Sequence, residues 1–346
     1  MGLGSGLARL RVLRRARRSP PLALAFFLAA MLGLLSLTPY LTSGTELVRL
    51  RNALTLGDAL TATFDWQPPQ SPGAGYRAET ARPAALFSGV ARQLQLGQQT
   101  DDWQRAVLIS QHLLGSAPDL NGGAIQADLQ TTYRRIVERG DGYCGDFVRA
   151  FLALAHAAGL PARAWAFAFD GFGGHGHIWA EIWNRQLRRW QLVDVYNNLY
   201  FTMGDGLPLS ALQLREALLA GGPSPRLKQL LPGPRQAFQV EARAWDYIRR
   251  GLDQWYLVWG NNVQAYDEAA MVRELGGVSR ALAQLGGIAQ GVQPLIRILP
   301  TPTNRGMAQD LMRLRWHLLL VAWFVPLSLL AAASLAWQSG GRSVPP

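Results

Sequence analysis

The chain has 346 residues, a formal net charge of +11 at pH 7 and a composition that is 49% hydrophobic. This length allows one large domain or two ordinary ones, and the composition excludes a disordered or collagen-like chain. Much of the basic excess is a cluster of arginines between residues 9 and 18, directly before an apolar run. We interpret this cluster as a signal that orients a membrane span. A nucleic-acid-binding tail is the weaker interpretation, because basic and aromatic residues do not interleave elsewhere. We therefore expect no nucleic-acid partner.

Two apolar segments are long enough to cross a bilayer as helices, namely residues 22–41 and 316–337. The alternatives are a cleaved signal peptide for the first and a buried amphipathic helix for the second. Because basic residues before a span stay inside, we expect a cytoplasmic N-terminus (1–21) and a cytoplasmic tail (338–346). The prediction is a protein of the inner (plasma) membrane with two spans and an exported, periplasmic domain between them.

Between the spans, we predict a helical N-terminal region (42–125), a core (126–208) and a helical C-terminal region (209–315). The first region holds a Pro/Gly/Ser-rich loop and two amphipathic helices, at 84–96 and 100–114. The last shows helical patterns at 210–219, 235–250 and 267–285, separated by Pro and Gly, and could hold membrane-protein partners.

The core has the densest pattern of predicted elements. A helix at 128–138 is followed by a second helix from Cys144 to Ala158, which Gly159 and Pro161 end. Three strands follow, over residues 163–169, 177–183 and 190–195, with a glycine-rich loop before the second.

Cys144 is the only cysteine, so no intrachain disulfide can form. Glycines flank it, and it lies at the predicted start of a helix, where a thiolate is favoured. A small buried hydrophobe is the usual interpretation of a free cysteine. Here His177 and Asp194 follow on two strands that form a hairpin, which places them opposite or diagonal to each other. These three residues are therefore the candidate catalytic nucleophile, base and orienting acid.

Two other patterns compete with this interpretation. His175 and His177 could ligate a metal, but no third ligand is evident nearby. Residues 171–176 fit the G-x-G-x-x-G pattern, yet a strand follows them where a dinucleotide site requires a helix. We therefore expect no metal and no cofactor, and we interpret the glycines as a flexible loop that gives access to His177.

Four blocks between residues 133 and 194 resemble the transglutaminase-like superfamily of papain-type thiol enzymes. They are Gly-Tyr-Cys-Gly-Asp (142–146), Gly-Leu-Pro-Ala-Arg (159–163), His-Ile-Trp-Ala-Glu (177–181) and Trp-Gln-Leu-Val-Asp (190–194). Their order, spacing and local context agree with the family, and with the apolar segments they suggest a membrane-anchored bacterial member.

The resemblance implies an α+β fold, in which a helix packs against an antiparallel sheet, here with mostly helical flanking regions and two transmembrane helices. It implies that Cys144 attacks an amide carbonyl, that His177 is general base and then acid, and that Asp194 orients His177. A thioester would then be released to water or to an amine, on a protein, peptide or cell-envelope amide substrate. The competing hypothesis is a non-catalytic binding or scaffold module in a membrane-associated assembly.

Overall fold

The computed structural model describes residues 20–57, 64–68, 72–117, 119–221, 224–233, 238 and 240–340. Most of the predicted basic N-terminus and most of the predicted C-terminal tail lie outside these residues. The helices are α1 (Pro20–Leu35), α2 (Gly44–Leu54), α3 (Ala85–Gln93), α4 (Asp102–Gly115), α5 (Leu129–Arg139), α6 (Cys144–Ala157), α7 (Ala211–Leu219), α8 (Glu241–Arg250), α9 (Val263–Glu268), α10 (Ala270–Gly276), α11 (Arg280–Ala289) and α12 (Arg305–Gly340). The strands are β1 (Ala162–Ala168), β2 (Gly176–Asn184), β3 (Arg189–Val193), β4 (Leu199–Thr202), β5 (Arg226–Gln229), β6 (Trp255–Trp259) and β7 (Leu295–Ile298).

Five strands form an antiparallel sheet in the order β3-β2-β1-β6-β7, and β4 pairs with β5 in a separate ribbon. The central strand β1 alternates alanine with large residues, so its two faces differ. Ala162 and Ala164 pack in the same core as α6, where their small size allows a close approach of the helix. Trp165 and Phe167 belong to a tryptophan-rich core on the other face. This mixture of helices and antiparallel sheet is an α+β architecture that fits a transglutaminase-like core.

The C-terminal region, described from sequence as helical, also contributes strands. β6 and β7 complete one side of the main sheet, because the aromatic and β-branched side chains of these segments suit a pleated, buried surface. The helix expected over residues 267–285 is three short helices instead. Gly276 and Gly277 interrupt the helical run, and Ser279 caps the next helix by accepting the Leu282 N–H.

The expectation of two transmembrane helices is corrected by the structure. Within the described ranges, one helix is long and apolar enough to cross a membrane, over Arg305–Gln338. The first predicted span (22–41) overlaps the 16-residue helix α1, which begins at Pro20, and includes a separate 3-10 turn at Thr38–Leu41. Sixteen helical residues rise about 24 Å, less than the ~30 Å hydrocarbon core. The helix ends because the hydroxyls of Ser36 and Thr38 bond local carbonyls and Pro39 follows.

Helix α12 connects the sheet to the apolar helices. Its first turns bury Leu311 and Leu314 in a core that also contains Tyr256 and Ile298 from the sheet. Farther along, its outward side chains are exposed, as at Trp323 (73%). α12 is therefore anchored in the domain at one end and leaves a long apolar surface uncovered at the other.

Candidate active site

Cys144 is the first residue of helix α6. Gly142 adopts a φ of +107°, which permits the turn that brings the chain into the helix. The buried Asp146 carboxylate accepts the Tyr143 N–H at 3.0 Å and forms an ion pair with Arg280 at 2.9 Å. This cap holds the helix start in place, while the Cys144 side chain stays partly exposed. The thiol thus lies where helix N–H groups are free and the helix dipole favours negative charge.

His177 and Asp194 form a buried pair. His177 Nε2 donates to Asp194 Oδ1 at 2.8 Å, and both side chains are less than 5% exposed. β2 and β3 pair Ala180 with Val193, so the next residue, Asp194, lies diagonal to His177 across the hairpin. Asp194 takes up Nε2, and the Cys144 thiol lies near enough to the same ring for its charge to raise the pKa of His177. The structure therefore brings the three candidate residues together.

The charged form of His177 is favoured in this setting. Burial of the ring lowers its pKa, but the charges of Asp194 and Cys144, and the hydrogen bonds to both side chains, raise the pKa to about 10 from an ordinary value of 6.5. An imidazolium between a carboxylate and a thiolate is the ion pair that activates a cysteine nucleophile. The roles of the three residues in catalysis remain a prediction.

Asn197 is a part of the site that the sequence analysis missed. Its Nδ2 donates to Asp194 Oδ2 at 2.8 Å, and its backbone N–H donates to Asp194 Oδ1 at 3.2 Å. The carboxylate therefore has both oxygens engaged and is fixed toward His177. An aspartate followed three residues later by asparagine, directly after a strand, is the local signal that could have indicated this turn.

Aromatic rings surround the imidazole. The ring centroids of Trp179, Phe167 and Tyr247 lie 5.6, 5.8 and 5.9 Å from that of His177. The Tyr247 hydroxyl also donates to the Gly176 carbonyl at 2.9 Å, which ties α8 to the start of β2. These contacts hold the ring orientation and keep water from much of its surface.

The glycine-rich loop (171–176) connects β1 to β2, and a strand follows it, as expected. A side chain at Gly176 would clash with the Phe167 carbonyl oxygen, so glycine is required for the close approach of the two strands. The loop is also tied to α2, where Asn52 Nδ2 donates to the Phe172 carbonyl at 2.7 Å. The loop described from sequence as flexible is thus held by specific hydrogen bonds.

The other four histidines make their contacts with residues other than Cys144, His177 and Asp194. His175 has 70% of its side chain exposed and lies 3.9 Å from Asp170. The remaining three bond elsewhere: His112 to Tyr133, His156 to the Ala81 carbonyl, and His317 to Ser36. In the part of the chain that the structure describes, no cluster of three or more His, Cys, Asp or Glu residues could hold a metal ion.

Comparison with known proteins points to one family. The family model described as the transglutaminase-like superfamily matches residues 89–195, which is less than half of the chain. No curated protein and no solved structure matches the chain significantly. The matched segment runs from α3 to the end of the β2–β3 hairpin and contains Cys144, His177 and Asp194. Over this segment the chain is similar to the transglutaminase-like superfamily.

Proposed function

We propose that the protein is a membrane-attached thiol enzyme that acts on amide bonds through a thioester intermediate. Cys144 is the nucleophile, His177 the general base and then acid, and Asp194 the residue that orients His177. The observation that carries this proposal is the buried His177, which is hydrogen-bonded to Asp194 and lies near enough to the partly exposed Cys144 for the two side chains to interact electrostatically. The family match over residues 89–195 supports it.

The geometry supports a two-step reaction. The Cys144 thiolate attacks the amide carbonyl carbon, and the carbonyl oxygen takes the negative charge. When the C–N bond breaks, His177 gives its proton to the departing amine and leaves a thioester on Cys144. Water or a second amine then loses a proton to His177 as it attacks the thioester, and the thiolate leaves. His177 is an imidazolium before Cys144 attacks the amide, and again after water or the amine has attacked the thioester. Asp194 stabilises this charged form both times.

The start of α6 supplies electrostatic stabilisation. The first N–H groups of a helix have no intrahelical acceptor, so those of Cys144 and Gly145 are free to donate to an oxygen bound beside the thiol. The helix dipole has its positive end at the same place. Donors that are already oriented lower the energy of the anionic intermediate without reorganisation during the reaction.

Membrane attachment rests on α12. Its exposed side chains include Trp316, Trp323 and Trp337, which suit a bilayer and its interfaces better than water. The shorter apolar helix α1 packs along it, with Ala30 buried against Val325. Flotation of the full chain with liposomes, compared with a chain that ends before Arg305, tests the attachment.

The enzymatic proposal is tested with an activated ester, because the natural substrate need not be known. The full chain in detergent is mixed with p-nitrophenyl acetate, and we measure p-nitrophenol release and acetylation of Cys144 by mass spectrometry. We expect Cys144→Ala and His177→Ala to abolish the initial burst. His175→Ala is the matched control, since this exposed histidine lies two residues away, and it should leave the burst intact.

The proposal would be contradicted if His177→Ala and His175→Ala lost the burst equally, or if the folded wild-type protein were not acylated. Either result would favour the binding-module hypothesis. Addition of glycinamide distinguishes the two enzyme classes. A transamidase transfers the acetyl group to glycinamide, so less acetate is released per p-nitrophenol. A hydrolase releases the same amount of acetate per p-nitrophenol with or without glycinamide.

A further inference from the structure

A cavity of about 560 Å³ is lined in part by Gly145, the residue that follows the proposed nucleophile. It begins at Gly145, next to Cys144, and follows α6 past Val148 and Arg149 to Leu152. At 1.5 Å per helical residue, this wall extends about 10 Å from the helix start. The opposite walls come from α2, β6 and the short helices α9–α11. A group bound along this wall would therefore lie within about 10 Å of the start of the helix that carries Cys144.

The lining of the cavity is basic. Four arginines and two aspartates line it. They are Arg51, Arg149, Arg273, Arg280, Asp128 and Asp267. They come from separate parts of the chain, so the fold, and not a local basic run, concentrates the positive charge here.

The arginines are incompletely paired. Arg149 meets Asp267 at 3.2 Å, and Arg280 meets Asp146 at 2.9 Å. Arg51 contacts the Asn52 Oδ1 oxygen at 2.9 and 3.2 Å, and among the described residues neither it nor Arg273 forms an ion pair. Two guanidinium groups are thus available to an anion without first breaking an ion pair.

These charges also act on one another. Burial lowers the pKa of Arg149, and the positive charge of Arg280 lowers it further. For Arg51, burial is again the main cause of a lowered pKa, and Arg280 adds to the shift. Like charges held together in a partly desolvated cavity are stabilised by a bound anion.

Asn262 adds an unsatisfied acceptor to the same cavity. The residue is 5% exposed, and its Nδ2 donates to the Val292 carbonyl at 2.9 Å. Its Oδ1 has no hydrogen-bond partner among the described residues. A buried carbonyl oxygen without a donor is costly, and a ligand N–H would satisfy it.

We propose that this cavity binds a carboxylate on the amide substrate, within about 10 Å of the carbonyl that Cys144 attacks. The arginines hold the carboxylate, and Asn262 accepts an N–H of the same substrate, so the preferred substrate is an acidic peptide-like amide. The inference deepens the proposed function and rests on it.

The test measures binding in the absence of catalysis. We use the full chain with Cys144→Ala in detergent and titrate N-acetylglutamate, its neutral analogue N-acetylglutamine, and inorganic phosphate by calorimetry. We expect the acid to bind at least about tenfold more tightly than the neutral analogue, as charge-assisted hydrogen bonds provide. Arg51→Gln in the same background should remove this preference. Arg134→Gln, at an exposed arginine of α5 outside the cavity, should retain it.

Equal binding of acid and neutral analogue, or a preference that survives Arg51→Gln, would overturn the inference. Tighter binding of phosphate than of N-acetylglutamate would overturn the assignment to a carboxylate. These outcomes are separate from a failure of the proposed function, because p-nitrophenyl acetate carries no carboxylate and reports acylation of Cys144 alone.

Discussion

Replacement of Asp194 by asparagine should lower the pKa of His177 and leave its position intact. Asparagine keeps the size of the side chain, but it removes the negative charge that is the largest favourable cause of the raised pKa. The difference between 6.5 and about 10 corresponds to roughly 5 kcal/mol in favour of the imidazolium, at 1.36 kcal/mol per pKa unit. Cys144 contributes part of this difference, so we expect Asp194→Asn to lower the pKa of His177 by at least about one pH unit.

The lone thiol provides the assay. A positive imidazolium beside Cys144 accelerates anionic iodoacetate more than neutral iodoacetamide. The ratio of the two alkylation rates therefore reports the charge of His177 at each pH. We expect this ratio to fall with a midpoint near pH 10 in the wild-type chain, and at a lower pH in Asp194→Asn.

Asp205→Asn is the matched control, because Asp205 is an exposed acid outside the site. It should keep the wild-type midpoint. If the midpoint of Asp194→Asn coincided with that of the wild type, Asp194 would not be the source of the raised pKa, and the reasoning would be refuted.

Three further predictions follow from named contacts. Glu181→Gln removes the counter-ion of the buried Arg163 guanidinium, which lies 2.6 Å from the Glu181 carboxylate. Thermal unfolding followed by tryptophan fluorescence should show that the free energy of unfolding falls by about 3–5 kcal/mol. A fall below ~1 kcal/mol would contradict this prediction. Asn197→Ala removes the 2.8 Å hydrogen bond to Asp194. If this bond contributes about 1 kcal/mol to the transition state, its loss should slow acylation by p-nitrophenyl acetate roughly fivefold. An unchanged rate would show that the bond does not position the carboxylate. Because the pKa of His177 is raised, its protonation stabilises the folded state fully below about pH 6.5, and this stabilisation is lost as the pH rises through about 10. The melting temperature should therefore fall less between pH 6.5 and 10 in His177→Gln than in the wild-type chain.

The local part of the site could be predicted from sequence. The helix from Cys144 is indicated by its own periodicity and by the glycines around it, which are neighbours in the chain. The contact between His177 and Asp194 follows from a short hairpin, whose turn limits the pairing to a few registers. Both predictions need only interactions between residues close in sequence.

The nonlocal part could not be predicted in this way. β6 pairs with β1 although some ninety residues separate Ala164 from its partner Val258, and no short-range pattern specifies such a partner. The basic cavity depends on Arg51, Arg149 and Arg280, which only the complete fold brings to one place. The first span is predicted too long because the sequence carries no charged residue from Leu22 up to Leu41, whereas the helix ends at Leu35.

If His177 activates Cys144, the alkylation rate of this single thiol depends on the imidazole. The full chain, His177→Ala and the control His175→Ala are treated with iodoacetamide at pH 6. Because only the thiolate reacts, we expect a rate at least about tenfold higher for the wild-type chain and the control than for His177→Ala. Equal rates in all three proteins would show that His177 and Cys144 form no thiolate–imidazolium pair and that His177 does not activate the thiol.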